Sequence, residues 1–256
     1  MRHISFSELK NWNKCAYYHK LVNLDKIKGF KGSEHTAFGT AIHEVYEKSV
    51  LGHIKSGDEQ EIFEKSFISE IEKLICDGVD LSEPLLQDME EQGKKLSVKG
   101  VPALKEYFGH YSVFSAEEKL YEKIDDVEYL FKGYIDLVLK TNDGKYHIID
   151  WKTTSWGWDA RRRSDTMVTY QLTLYKHYFS KKHNIDPSKI ETHFALAKRT
   201  AAKDNIEIFR VSSGLRKTQN ALKLLNKAIY NIQKGKHFKN RLSCNGCEFY
   251  KTKNCG

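Results

Sequence analysis

The chain has 256 residues, 40% of them hydrophobic and 30% charged, which is enough to bury one sizeable core, with a subdomain at most beside it. Three prolines, no Gly/Ser tract, no repeat and no apolar run long enough for a bilayer argue against a disordered linker, a repeat array and a membrane-spanning protein. Lys and Arg number 42 against 34 acidic residues, a net charge of +8 that suits a polyanionic partner through counterion release but does not by itself separate a nucleic-acid binder from an ordinary basic protein.

In chain order, Ser5-x-x-Glu8 is a capping-box pattern, and Phe6, Leu9, Trp12 and Tyr17 supply an apolar face to the helix it starts. A second helix is predicted over 35–51, where Ala37/Phe38, Ala41/Ile42 and Val45/Tyr46 recur every four positions. Two more are expected over 59–76 and 84–108. The pattern then changes to strands at 116–124 and 128–140, a turn at Asn142-Asp143-Gly144, and a strand over 145–152. A helix over 165–183, strands near 190–198 and 205–211, and a helix over 213–234 lead to a Cys-rich tail. The expected fold class is α/β, a core with helical decoration: an N-terminal helical region (1–110), an α/β core (111–211) and a C-terminal helix and tail (212–256) making one unit over 1–256. The start, MRHISFSELKNWNKC, lacks the hydrophobic centre of a secretory signal, so a cytoplasmic protein is expected.

Within the strands, Gly133-Tyr134-Ile135-Asp136 is followed across the hairpin by Ile149-Asp150-Trp151-Lys152. Side chains alternate along a strand, so Asp150 and Lys152 project from one face, and the turn brings Asp136 into their neighbourhood. Two neighbouring carboxylates inside a protein call for a positive charge between them, and a hard cation such as Mg²⁺ or Mn²⁺ suits oxygen ligands. A lysine beside that cation can position the attacking water. An Asp-x-Lys arises about once by chance in a chain of this length, so an exposed pair at a strand end is the alternative on these residues alone.

Gly133-x-Ile135-Asp136 followed by Ile149-Asp150-Trp151-Lys152-Thr153-Thr154 resembles motifs II and III of the RecB-type PD-(D/E)xK nucleases. The resemblance implies a restriction-endonuclease-like fold, with a mixed central sheet flanked by helices, and phosphodiester cleavage with Mg²⁺ or Mn²⁺. It makes Asp136, Asp150 and the Trp151 carbonyl metal ligands and gives Lys152 to the attacking water. Gly39-Thr40-Ala41-Ile42-His43 resembles the family's G-x-x-x-H helix, so His43 would complete the metal site. Gln171-Leu172-Thr173-Leu174-Tyr175 resembles its Q-x-x-x-Y motif, with Gln171 and Tyr175 on one helix face; helix packing is the alternative for both. The family also has an upstream carboxylate, for which Glu118, between Glu117 and Glu122, best fits the place.

Of the five cysteines, Cys244-x₂-Cys247-x₇-Cys255 has metal-ligand spacing, with Asn245-Gly246 as the turn, and Cys15 is the candidate fourth ligand. The spacing suits zinc or iron–sulfur equally. Similarity to AddB-type enzymes and to related CRISPR-adaptation and phage exonucleases implies a [4Fe–4S] cluster, although Ala16 replaces the family's proline after Cys15. Cys76 lies outside the pattern and is expected to be a small buried hydrophobe.

Ser155 to Arg163 carries Trp156, Trp158, Arg161, Arg162 and Arg163. The tryptophans could stack on bases and the arginines pair with phosphates, or the tryptophans could pack onto the core. Lys198, Arg199 and Lys203 could extend the basic surface. No phosphate-binding loop is present, so a helicase or a recombination or replication partner would be a separate chain. The expectation is a metal-dependent DNA nuclease, an exonuclease acting on single strands or DNA ends. A non-catalytic nuclease-like DNA-binding or assembly module is the alternative.

Overall fold

The computed structural model describes residues 2–256. Strand β1 (Arg2–Ser5) leads straight into α1 (Phe6–Lys14) through the expected capping box: the Glu8 N–H donates to Ser5 Oγ at 3.1 Å, and the Ser5 N–H donates to Glu8 Oε2 at 2.8 Å. Helix α2 (Ala16–His19) continues into a π-turn over Lys20–Leu24. Four helices follow: α3 (Glu34–Val50), α4 (Glu59–Cys76), α5 (Glu83–Ser97) and α6 (Gly100–Phe108). The helix expected over 84–108 is thus two. The chain turns at Val98-Lys99, and a Cβ on Gly100 would lie 2.6 Å from the Tyr46 ring, so the close approach of α6 to α3 requires glycine.

The sheet comprises β1, β2 (Tyr111–Lys123), β3 (Tyr129–Thr141), β4 (Tyr146–Thr154), β5 (Ile190–Lys198) and β6 (Ile206–Val211). Helices α7 (Ala160–Ser164) and α8 (Thr166–His183) connect β4 to β5, and α9 (Leu215–Gln233) follows β6. The order is β1-β3-β4-β5-β6, with β2 also on β3; β1/β3 and β4/β5 are parallel and the other pairs antiparallel. This is the mixed, helix-flanked sheet expected of a restriction-endonuclease-like fold.

Neighbouring residues of β4 feed opposite faces of the sheet, as a doubly covered strand must. Ile148 joins Phe131, Leu172, Phe179, Phe194 and Leu225 under α1, α8 and α9, whereas Ile149 joins Phe38, Ile42, Phe63 and Met89 under α3 to α6. No helix among the described residues is long and apolar enough to cross a membrane.

Strand β3 is shared unequally. Along one edge β2 pairs with it from Leu130 to Thr141. The other edge is divided: β1 takes Tyr129–Lys132 and β4 takes Leu137–Lys140. Residues 133–136 lie between them, at an interruption in the ladder.

Candidate active site

Asp136 is the last residue of that interruption, and Asp150 follows Ile149, whose pairing with Leu137 is the last between β3 and β4. In place of a ladder bond, the Trp151 N–H donates to Asp136 Oδ2 at 2.7 Å. On the α8 side, Lys152 Nζ lies 2.5 Å from Asp150 Oδ2, as the two-residue spacing demands. Gln171 donates from Nε2 to Asp150 Oδ1 at 2.8 Å and to the Tyr175 hydroxyl oxygen at 3.3 Å, so the two α8 residues hold the buried carboxylate in orientation. A Cβ on Gly133 would come within 2.8 Å of the Tyr175 ring; glycine here lets α8 approach the interruption. On the opposite side α3 brings His43 Nδ1 to 3.6 Å from Asp136 Oδ2. One turn earlier, a Cβ on Gly39 would stand 3.2 Å from Thr153 Oγ1, and its absence keeps α3 close to β4.

The electrostatics follow from burial and crowding. Burial, and then the charge of Asp150, hold Asp136 far above the ordinary carboxylate range. Burial alone would lower Lys152, but the Asp150 and Asp136 carboxylates outweigh it and raise its pKa, so it stays an ammonium. Burial and then Lys152 lower His43, leaving a neutral imidazole with a lone pair to offer. Glu117 is raised by burial, by Asp136 and by Glu47. His43, Glu47, Glu117, Asp136 and Trp151 surround one small enclosed cavity. Several carboxylates and a neutral imidazole facing a single ammonium form a donor set that fits Mg²⁺ or Mn²⁺.

The upstream carboxylate is corrected by one position. Glu118 does not reach the site: it pairs with Lys182 and, at 2.9 Å, with His183 near the end of α8. Glu117 reaches it instead. The β2–β3 register runs through Ala116↔Leu137 and Glu118↔Ile135 with no pair between, and Glu117 adopts a φ of +48°. The register shift lies earlier, between Val113 and Ser115, and beyond it Glu117 falls opposite Asp136; sequence periodicity does not reveal where such a shift falls. Glu47 was missed altogether; its signal was the four-residue spacing from His43 on α3.

The segment after β4 is also corrected in part. Trp158 is 6% exposed, with its ring 5.0 Å from that of Phe194, so it is a core residue and not a stacking platform. Arg163 lies 2.5 Å from Glu207 and sits over Phe209, and Arg162 covers the Trp158 ring. Lys198 pairs with Glu207, and Arg199 donates to Gln92 and Ser155. Trp156, 68% exposed, and the exposed Arg161 and Lys203 remain available to a ligand.

Cys15, Cys244, Cys247 and Cys255 all line one cavity of about 320 Å³ where the chain ends meet. The Tyr17 N–H donates to the Phe238 carbonyl at 3.1 Å, and the Asn240 N–H donates to Cys15 Sγ at 3.3 Å. Gly246, at a φ of +72°, makes the turn that returns Cys247 towards Cys244. Cys76, expected to be buried, is exposed at the end of α4.

Two aspartates and a lysine thus lie at a break in a mixed sheet, with a histidine helix on one side and a Gln/Tyr helix on the other. The sequence profile of the PD-(D/E)XK nuclease superfamily matches residues 3–252, and the chain belongs to that superfamily. Among solved structures it is similar in fold to a candidate exonuclease from Eubacterium rectale, with a TM-score of 0.62 and 13% identity over 98% of this chain and 89% of that one. SSO0001 aligns with 81% of this chain and 91% of its own at 16% identity, but its TM-score of 0.38 carries no argument. No curated protein matches.

Proposed function

We propose that the chain is a metal-dependent DNA nuclease that hydrolyses phosphodiester bonds as an exonuclease on single strands or DNA ends. The supporting observation is the convergence of His43, Asp136, Asp150 and Lys152 at the interruption between β1 and β4. Asp136, Asp150, His43 and the Trp151 carbonyl would hold Mg²⁺ or Mn²⁺, with Glu117 close by. When bound, the cation supplies Lewis acidity at a phosphate oxygen and a water of lowered pKa.

The residues of the chain do the rest. Lys152, an ammonium, donates to the attacking water and offsets charge on the phosphate; it cannot also take that water's proton. Gln171 keeps the Asp150 carboxylate in one orientation, and Tyr175 keeps Gln171. Trp156 and Arg161, exposed just beyond β4, would meet the strand being cut.

Cys15, Cys244, Cys247 and Cys255 would hold a [4Fe–4S] cluster clamping the chain ends. The four cysteines line one cavity, the resemblance to the iron–sulfur branch favours the cluster, and a structural zinc is the alternative. We read 1–256 as one RecB-like nuclease domain, since the N-terminal helical region contributes both His43 and Cys15.

The test is digestion of end-labelled single-stranded, double-stranded and circular DNA by purified protein with Mg²⁺ or Mn²⁺. Circular DNA should resist, and Lys152→Ala and Asp150→Asn should each lower the rate by on the order of 10²–10⁴-fold with circular dichroism unchanged. Undiminished digestion by both variants would end the proposal, and DNA binding without cleavage across metals would establish the non-catalytic module instead.

A further inference from the structure

We propose that His147, Glu191 and His193 form a second cation site, for Zn²⁺ or a similar borderline transition ion, at the opposite end of β4 from the nuclease site. The topology puts them together. In the parallel β4–β5 pair His147 lies beside Glu191, and His193 is two residues further along β5, hence on the same face. One ligand atom from each lies within 4.8 Å of the other two. His147 precedes Asp150 by three residues, about 10 Å along the strand and on the other face of the sheet.

The hydrogen bonds show what the group lacks. His147 is 7% exposed and His193 2%, and Nδ1 of each is buried without a partner. Thr141 donates its hydroxyl proton to Asp143 Oδ1 at 2.5 Å, so at 3.0 Å from His147 Nε2 it accepts the imidazole N–H. A neutral imidazole has only one N–H, which leaves His147 Nδ1 a bare lone pair. That lone pair faces Glu191 Oε2 at 3.9 Å, an acceptor opposite an acceptor.

Lys145 and Arg210 both approach the other oxygen, Oε1, at 3.3 and 3.7 Å, and neither is paired with Oε2. Packing against Phe108, whose ring is 4.9 and 5.1 Å from the two imidazoles, explains why the rings are buried but not why a ring nitrogen of each lies within 4.8 Å of a Glu191 oxygen. Tetrahedral zinc, with bonds of about 2.0–2.2 Å to nitrogen and oxygen, sets its ligand atoms about 3.4 Å apart. The His147–Glu191 separation would have to contract by about half an ångström to match. Two imidazoles and one carboxylate favour Zn²⁺ over Mg²⁺ and leave a position open towards the pocket formed with Tyr107, Asn142 and Asp143. A cation here would tie the start of β4 to β5, upstream of Asp150 and Lys152 on the same strand. Thr141 fixes the tautomer of His147, as outer ligands of metal-bound histidines do.

Zn²⁺ dialysis of the whole protein, with bound zinc and iron counted per chain, tests this. Glu191→Gln and His147→Gln should each lose one zinc equivalent, or weaken its binding at least about tenfold, with iron content unchanged. Saturating Zn²⁺ should raise the melting temperature of the wild type but not of Glu191→Gln. Wild-type stoichiometry and affinity in both variants would overturn the proposal. Should the variants misfold, wild-type crystals grown with Zn²⁺ decide: an anomalous peak among the three side chains supports the site, and no peak there overturns it.

Discussion

Replacing Asp136 by asparagine should make the metal-free protein more stable while removing its activity. Burial and the neighbouring Asp150 charge push Asp136 up to about 8 in the folded chain, against 3.8 for the free side chain. The unfolded chain therefore releases this proton near pH 4 and the folded chain near pH 8. Stability tied to the protonated carboxyl is complete below pH 3.8 and is lost progressively as pH rises towards 8. At ~1.36 kcal/mol per pH unit, the loss by pH 7 is at most about 4 kcal/mol. Asparagine has no charge to lose, and its carbonyl can still accept the Trp151 N–H. Urea denaturation in EDTA should thus show Asp136→Asn gaining about 1 kcal/mol at pH 5 and about 2–4 kcal/mol at pH 7. Saturating Mg²⁺ should stabilise the wild type and narrow the difference. A variant less stable than wild type in EDTA, or a gain that does not change with pH, would refute the account of crowded carboxylates.

Other perturbations separate site from scaffold. Gly133→Ala places a methyl group 2.8 Å from Tyr175 and should cost about 1–3 kcal/mol in chemical denaturation, together with a fall in digestion rate; Tyr175→Leu added to it should restore stability but not rate. Arg161→Ala should weaken DNA binding and reduce the salt slope by about 1, whereas Arg163→Ala, losing Glu207 and Phe209, should chiefly lower the melting temperature. Reversal of those two outcomes in a salt titration and a melting curve would mean that the arginines have been given the wrong roles. His19, lowered to about 4 by burial and then by His237 and Lys26, should cost stability as pH falls from 6.5 towards 4, by about 3 kcal/mol at most. In denaturation midpoints measured across that range, His19→Asn should flatten the acid slope; an unchanged slope would exclude His19 as its source.

What sequence alone determined was local. The two-residue spacing of Asp150 and Lys152 settles that they share a face, the hairpin turn brings Asp136 near them, and the four-residue spacing of Gln171 and Tyr175 places both on one side of α8. Ser5 and Glu8 begin a helix for reasons contained in four residues. Strand β1 was illegible because four residues are too few to show a period, and its pairing with β3 lies over a hundred residues away. Trp158 and Trp156 look alike in sequence, yet one is core and the other solvent-facing, because only the packed sheet distinguishes them. The exchange of Glu118 for Glu117 follows from how β2 lies against β3, whose register from Ser115 onward sets Glu117 opposite Asp136. The interruption between β1 and β4, and the meeting of Cys15 with the C-terminal cysteines, are likewise long-range facts. Periodicity reports which neighbours share a face; only tertiary contacts decide what that face meets.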